Sequence, residues 1–269
     1  MAAEDRFALV VEPYEVEVSM TYADTIRRII FEGEAIGRDT GFYGTIFAAD
    51  PGKFIGAGHT EGGLEKVESF DLRVGKKKVE PESGKRYTGK SITYEKSSLL
   101  DHLRVHVKLE LTRDGIVMHK TWEALEDQKA KSLYLYQFCW SADTKEWIGE
   151  CADGEMKEGA FLDDKGWRLQ SDVKWTALYD PAIEKGMLMY YPKVILGNMH
   201  KSVYWDQPPP RYHKYYLMMD IPALIPKGMK SGPHAIIMKG ISTKPGKWKD
   251  EVKKMASQLR KNDPKGTNE

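Results

Sequence analysis

The sequence has little cysteine and no long apolar run. Its two cysteines, Cys139 and Cys151, lie 12 positions apart in 269 residues, which excludes a disulfide framework and predicts two buried thiols. No segment approaches the roughly 18 apolar residues of a membrane-spanning helix, so no membrane span is expected. Residues 1–6 lack a basic and apolar leader, so no signal peptide is expected in the chain as given. The location stays open: periplasmic or secreted if a leader was removed, otherwise cytoplasmic.

An excess of charge of one sign is also missing. The chain has 41 Lys and Arg against 40 Asp and Glu, a net charge of +1. This balance gives no long-range attraction to a polyanion, so no nucleic-acid partner is expected. With 41% hydrophobic and 30% charged residues, the composition is that of a folded globular protein. A chain of this size buries enough apolar surface to fold without metal or disulfide staples. The sequence does not indicate an oligomeric state.

Several sequence motifs that mark common chemistries are absent. There is no Gly-x-Gly-x-x-Gly or Gly-x-x-x-x-Gly-Lys-Ser/Thr motif, so a nucleotide-phosphate site has no support. His-Glu-x-x-His, paired Cys-x-x-Cys units and the Gly-x-Ser-x-Gly nucleophile elbow are missing as well. The reaction types that these local motifs mark are therefore not expected.

Alternation of apolar and polar residues with period two is the main pattern present, and it predicts half-buried β-strands. About ten strands are expected, over residues 14–20, 67–74, 92–95, 103–111, 117–123, 133–140, 175–179, 187–191, 215–220 and 234–240. Asp114-Gly115 predicts a tight hairpin. Residues 152–166 are acidic and rich in glycine, and they are expected to form a long loop.

One helix is expected at the C-terminal end. Val252, Met255, Ala256 and Leu259 repeat at helical spacing within residues 249–260, and the polar residues 261–269 are expected to be frayed. No internal repeat or linker is visible in the sequence. The predicted organisation is one all-β, antiparallel sandwich domain over residues 1–269, with its core at about 14–242 and a short C-terminal helix.

The first candidate site is a glycine-rich segment, residues 54–65. Glycines there let a ligand approach the backbone closely, and they surround His59 and Glu61. Imidazole and carboxylate two positions apart can act as acid and base. An ordinary tight turn with solvated polar residues explains the segment about as well.

The second candidate is the strand that runs through residues 102–110. Its odd positions are apolar and its even positions include Arg104 and His106, so basic groups share one face. Arg104 suits a carboxylate and His106 a sugar hydroxyl. The alternative is the ordinary solvated face of a sheet.

The third candidate is aromatic, because seven Trp and 14 Tyr stand against only eight Phe. Tyr and Trp combine a flat apolar body with a polar group, which suits stacking on a sugar ring. Trp140, Trp205 and Tyr212, with His213 beside them, are the candidates for this role. The wholly structural alternative is favoured for three other tryptophans, which are expected to be core or sheet-edge residues: Trp122, Trp167 and Trp175.

A metal site has weak support, and no cofactor is expected. Asp153, Asp163 and Asp164 lie in the acidic segment and offer oxygen ligands of the kind that Ca²⁺ prefers. A solvated loop is the favoured interpretation.

The order of these features resembles that of the galactose mutarotase-like proteins, which include the aldose 1-epimerases. The segments that carry the resemblance are residues 29–37, 41–44, 56–65, 102–110, 135–140 and 187–192. The resemblance implies a large antiparallel β-supersandwich with a carbohydrate site on the concave face of one sheet.

This chain departs from the epimerase pattern at the residues that carry the chemistry. Residues 135–140 contain no histidine, and no glutamate occurs between Glu184 and Glu251, so no catalytic role is carried over. Lyases of this superfamily use Tyr, His and Arg on uronates. Residues of those types here are His59, Arg104, His106, Tyr212 and His213.

Two functions are therefore expected, each with a carbohydrate ligand as partner. The first is an enzyme with epimerase, glycosidase or lyase chemistry, in which His59, Glu61, His106 and His213 supply catalysis. In that case Arg104, Trp140, Trp205 and Tyr212 bind the substrate. The alternative is a non-catalytic carbohydrate-binding protein on the same scaffold. A structural protein that dimerises through its aromatic residues is the third hypothesis.

Overall fold

The computed structural model describes residues 5–37, 43–56 and 61–262, without the side chains of residues 198–200. Most of its secondary structure is β-strand. The strands of its first half are β1 Arg6–Val11, β2 Tyr14–Ser19, β3 Thr25–Phe31, β4 Glu34–Gly37, β5 Ile46–Ala49, β6 Phe54–Gly56, β7 Lys66–Val74, β8 Lys77–Val79, β9 Arg86–Thr88, β10 Ser91–Leu100, β11 Leu103–Thr112 and β12 Gly115–Ala124. Those of the second half are β13 Gln128–Ser141, β14 Glu146–Cys151, β15 Met156–Ala160, β16 Trp167–Ser171, β17 Val173–Asp180, β18 Lys185–Tyr190, β19 Gly197–Asp206, β20 Tyr212–Met219, β21 Leu224–Ile225 and β22 Lys230–Ser242.

The strands form two large sheets. The 12-stranded sheet has the order β16-β19-β20-β13-β4-β3-β2-β1-β9, with β5, β6 and β21 joined at β13 and β5. The 10-stranded sheet has the order β15-β14-β17-β18-β22-β12-β11-β10-β7-β8. All strand pairs of the described residues are antiparallel except β1 with β9. The predicted all-β sandwich is therefore confirmed.

Each of the ten predicted strands overlaps an observed one, and their bounds differ by one or more residues at most ends. The Asp114-Gly115 hairpin is confirmed, because Thr112 pairs with Gly115 across the β11–β12 turn. Strands missed by the alternation include β1, where residues 7–11 are all buried. A strand that is buried on both faces shows no alternation. The expectation of a loop over residues 152–166 is wrong in part, because β15 lies within it and pairs with β14.

The apolar core lies between the sheets. The alternation in β11 sets its odd residues in that core and its even residues on the far side, as predicted. Both cysteines are buried and free, as predicted.

The predicted helix is confirmed as α1 Trp248–Asn262, which follows a 3-10 turn at Pro245–Lys247. It covers part of the 10-stranded sheet on the side away from the core, where Trp248 stacks on Tyr179 with ring centroids 5.0 Å apart. Val252 and Ala256 are buried in the same contact. The helix is too short and too polar to cross a membrane, and the described part of the chain contains no other helix that could.

Candidate functional site

The face of the 12-stranded sheet that points away from the core, here called the outer face, is identified by the side chains of β13. The Tyr136 hydroxyl donates to the Met118 carbonyl of the opposite sheet at 3.1 Å, so Tyr136 points inward. Phe138 and Trp140 stack in series with it and share its direction. Because successive strand residues alternate, Gln137 and Cys139 point to the outer face.

Four strands place one side chain each in a row across this face. Trp167 lies opposite Trp205, Trp205 opposite Lys214, and Lys214 opposite Cys139. Directly opposite residues on antiparallel strands project to the same side. These four residues, Trp167, Trp205, Lys214 and Cys139, are called the outer-face row.

The first two members of the outer-face row are stacked indoles. The rings of Trp167 and Trp205 lie 6.3 Å apart with 25° between their planes. The Trp205 Nε1–H donates to the Lys165 carbonyl at 3.0 Å, which fixes that ring. Trp167 is 38% exposed and lies on β16, the edge strand of the sheet, so of its two predicted positions it takes the sheet edge rather than the core. Flat apolar area is thus open to a ligand beside the row.

The third member is a buried lysine. Only 3% of Lys214 is exposed, and its Nζ lies over the rings of Tyr216 and Tyr212, at 5.1 and 5.9 Å. Burial lowers the pKa of this amine, while the negative charge of Glu61 acts in the opposite direction. Burial also raises the pKa of Tyr212, to about 12, so this phenol keeps its proton at neutral pH.

The segment that carries Glu61 lies beside this lysine. Glu61 is exposed, and its charge raises the pKa of Tyr216, where burial is the largest cause. The next residue, Gly62, donates its N–H to the Phe54 carbonyl at 2.9 Å. Phe54 in turn stacks on Tyr134 of β13 at 5.6 Å. Its predicted acid–base partner His59 lies outside the described residues.

The predicted residue His213 lies on the opposite side of the same strand. Its side chain is 0% exposed and stacks on Phe161 at 3.9 Å. Burial lowers its pKa, and the Asp206 carboxylate opposes this effect. His213 therefore lies beneath the outer-face row, among core residues.

Three other predicted residues are also placed away from the row. Trp140 lies in the core and is 0% exposed. Arg104 and His106 are on the outer side of the 10-stranded sheet, beside a cavity of about 300 Å³ that Trp122 also lines. The Arg104 guanidinium donates to both carboxylate oxygens of Glu68, at 2.7 and 3.1 Å. The structure thus brings together Glu61, Trp205 and Tyr212 of the predicted set.

Lys214 and Trp167 were not among the predicted site residues. The alternation in residues 212–216 could have indicated Lys214, since it places this lysine on the same side of the strand as Tyr212 and Tyr216. No comparable signal exists for Trp167, because its position depends on the pairing of β16 with β19.

The acidic residues predicted as oxygen ligands are separated in the structure. Asp164 accepts a hydrogen bond from Arg168 Nη2 at 2.6 Å. Asp153 is exposed, near Cys151 and Glu155, whereas Asp163 lies near Asp206 and His213. Calcium binding by the predicted trio stays a prediction.

Comparison with known proteins relates the chain by fold. No family model matches it, and no curated protein does. The Slr1438 protein from Synechocystis sp. PCC 6803 has a TM-score of 0.55 at 7% identity, over 90% of this chain and 99% of that one. A galactose mutarotase-like protein from Clostridium acetobutylicum has a TM-score of 0.52 at 9% identity, over 87% of this chain and 94% of that one. An alpha-galactosidase from Geobacillus stearothermophilus has 0.55 at 10%, over 91% of this chain and 41% of its own length. The chain therefore has the galactose mutarotase-like fold that the sequence resemblance predicted.

Proposed function

We propose that this protein binds a carbohydrate on the outer face of its 12-stranded sheet. The observation that carries the proposal is the outer-face row, in which a stacked indole pair lies in register with a buried lysine. Two solved structures of the same fold, the galactose mutarotase-like protein and the alpha-galactosidase, have names that refer to sugars, which supports a carbohydrate as ligand.

Each part of the site suits a different part of a sugar. The indoles of Trp167 and Trp205 offer the flat apolar area on which a pyranose ring stacks. The amine of Lys214 and the phenol of Tyr212 offer donors to ring and exocyclic oxygens. A mostly apolar surface with a few convergent polar groups is the usual form of a small-ligand site.

One observation favours catalysis as a second candidate function. Lys214 has a lowered pKa, and the carboxylate of Glu61 is close enough to act on it electrostatically. A buried ammonium group and a carboxylate at one sugar can serve as acid and base in proton transfer. Epimerisation, elimination and hydrolysis all need such a pair. A non-catalytic binding protein uses the same contacts without chemical change.

A glycan screen with matched variants tests the proposal. The wild type and three variants, Lys214→Met, Trp205→Ala and Lys108→Met, are heated with neutral and uronate-bearing oligosaccharides. A ligand that binds the folded state raises the melting temperature. Lys108 is the matched control because it is a half-exposed strand lysine of the other sheet, paired with Glu110.

The proposal predicts a glycan that stabilises the wild type and Lys108→Met but not the other two variants. Equal stabilisation of all four proteins, or no hit across the panel, contradicts it. Mass spectrometry of the incubated hit separates the two functions, since an unchanged glycan supports binding alone and a changed mass identifies the reaction.

A further inference from the structure

Three polar side chains meet on the inner side of the β19–β20 pair, directly beneath the outer-face row. They are Asp163, Asp206 and His213, and each offers one ligand atom within 4.8 Å of the other two. Asp206 and His213 are opposite residues of the two strands, and both side chains are 0% exposed. Asp163 belongs to the loop before β16 and is one-third exposed. Two members of the cluster, Asp206 and His213, are therefore buried, and the third, Asp163, is open to solvent.

The orientation of the imidazole is fixed. His213 Nε2 lies 3.1 Å from the Thr144 carbonyl, and a carbonyl oxygen only accepts, so the Nε2 atom carries the hydrogen. A neutral ring then has a lone pair on Nδ1, which faces Asp206 Oδ1 at 3.3 Å. Such a bond from the second ring nitrogen to a backbone carbonyl is typical of metal-binding histidines.

Two atoms of the cluster are left without a partner. Neither His213 Nδ1 nor Asp163 Oδ1 has a hydrogen-bond partner among the described residues, although both atoms are buried. Asp206 Oδ1 accepts one backbone N–H, that of Asp163, at 3.2 Å. Lone pairs of three groups thus converge where no donor lies between them. Burying unmatched acceptors together is costly, and a cation removes that cost.

We propose that Asp163, Asp206 and His213 form a binding site for one divalent metal ion, held by Asp163 Oδ1, Asp206 Oδ1 and His213 Nδ1. An imidazole with two carboxylates suits Zn²⁺ or Mn²⁺, whereas Ca²⁺ prefers ligand sets made wholly of oxygen. Two cations already accompany the carboxylates: Arg168 Nη2 donates to Asp206 Oδ2 at 2.9 Å, and Lys145 Nζ lies 3.6 Å from Asp163 Oδ2. These neighbours compete with the metal, so we expect moderate affinity.

The site is connected to the outer-face row through the loop before β16. The Asp206 carboxylate accepts the backbone N–H groups of Leu162 and Asp163, and the Asp206 backbone pairs with Lys165 and Gly166. The Lys165 carbonyl in turn accepts the indole N–H of Trp205. A metal that joins Asp163 to the two strands fixes this loop beneath the indole pair. This consequence for the ligand rests on the proposed function, whereas metal binding itself does not.

Metal binding is tested without any sugar. Protein treated with EDTA and exchanged into metal-free buffer is titrated with Zn²⁺, Mn²⁺, Ca²⁺ and Mg²⁺ by calorimetry, and bound metal is counted by mass spectrometry after desalting. We expect one Zn²⁺ or Mn²⁺ per chain and a higher melting temperature with that ion. Asp163→Asn, which changes a partly exposed residue and should fold, is expected to weaken binding at least about tenfold. His213→Gln is expected to abolish it.

Cys151→Ser is the control, because Cys151, Asp153 and Glu155 form the other group of potential ligands in the described part of the chain. It should leave the stoichiometry unchanged. The proposal is overturned if none of the four ions binds the wild type. It is also overturned if Cys151→Ser removes the bound metal while Asp163→Asn retains it. Neither result depends on whether the outer face binds sugar.

Discussion

The outer faces of the two sheets carry similar side chains in different settings. On the 10-stranded sheet, Arg104 and Lys108 are half-exposed and paired with Glu68 and Glu110. On the 12-stranded sheet, Lys214 is buried among aromatic rings. The first arrangement is the solvated surface that water and carboxylates already satisfy. The second surrounds an amine with aromatic rings, and the proposed glycan site lies there.

Burial alone does not make a lysine part of a site, and the core provides the contrast. Lys120 is also buried, but its Nζ donates to Thr45 Oγ1 at 2.9 Å and to the Leu135 carbonyl at 2.8 Å. It lies between the sheets, over the Tyr136 ring at 4.6 Å. Its partners are all structural, so Lys120 should govern stability whereas Lys214 should govern ligand binding.

The largest effect on glycan affinity is expected for Lys214→Met. Loss of a charged donor to a ligand costs roughly 1.5–3 kcal/mol, which is about a tenfold to hundredfold weaker dissociation constant. Calorimetry with the glycan from the screen measures the change. Lys108→Met should bind as the wild type does, and a Lys214→Met protein with unchanged affinity would remove this lysine from the site.

A separate effect, on stability rather than binding, is expected for Lys120→Met. Burial lowers the Lys120 pKa from 10.5 to about 7, opposed by Glu65 and assisted by Lys96. Between these pH values the unfolded chain binds the proton that the folded chain lacks. The contribution of Lys120 to the free energy of unfolding therefore rises from pH 7 to 10, by an amount on the order of a few kcal/mol.

Urea unfolding at pH 6, 7, 8 and 9 measures this dependence. The wild type should gain stability relative to Lys120→Met as the pH rises from 7 to 9, and the difference should be constant below pH 7. The same series with Lys108→Met controls for the loss of a lysine elsewhere. A difference that does not change with pH would show that Lys120 keeps its proton in the folded state.

The indole pair should contribute to the free energy of glycan binding about as much as one stacked ring does. Trp205→Ala is expected to weaken glycan binding by roughly 1 kcal/mol, or about fivefold. Trp205→Phe keeps an aromatic face and should retain most of the affinity. Fluorescence titration gives both values, and equal losses for the two variants would indicate that the indole N–H rather than the ring face matters.

The smallest effect is expected for Arg104→Ala. An exposed ion pair contributes little to stability, so the free energy of unfolding should fall slightly and glycan affinity should not change. Parallel calorimetry and urea unfolding check both statements. A large loss of glycan affinity in this variant would transfer the site to the 10-stranded sheet.

Alternation in the sequence predicted the main strands, because one face of β11 is apolar and the other charged. It could not tell the two faces of β13 apart, since residues 135–141 are all buried. Trp140 was therefore predicted to stack on a sugar, although it points inward with Tyr136 and Phe138. The surroundings of Lys214 could not be predicted either, because Glu61 comes from a segment about 150 positions earlier.

Magnetic resonance of the tryptophan indoles tests whether the glycan binds at the outer-face row. Each of the seven Trp residues gives one ¹⁵N–¹H indole signal, assigned with Trp→Phe variants. During titration with the glycan, we expect the signals of Trp167 and Trp205 to shift while that of Trp122, which lines the cavity beside Arg104, stays in place. Shifts confined to Trp122 would contradict the account and place the ligand on the other sheet.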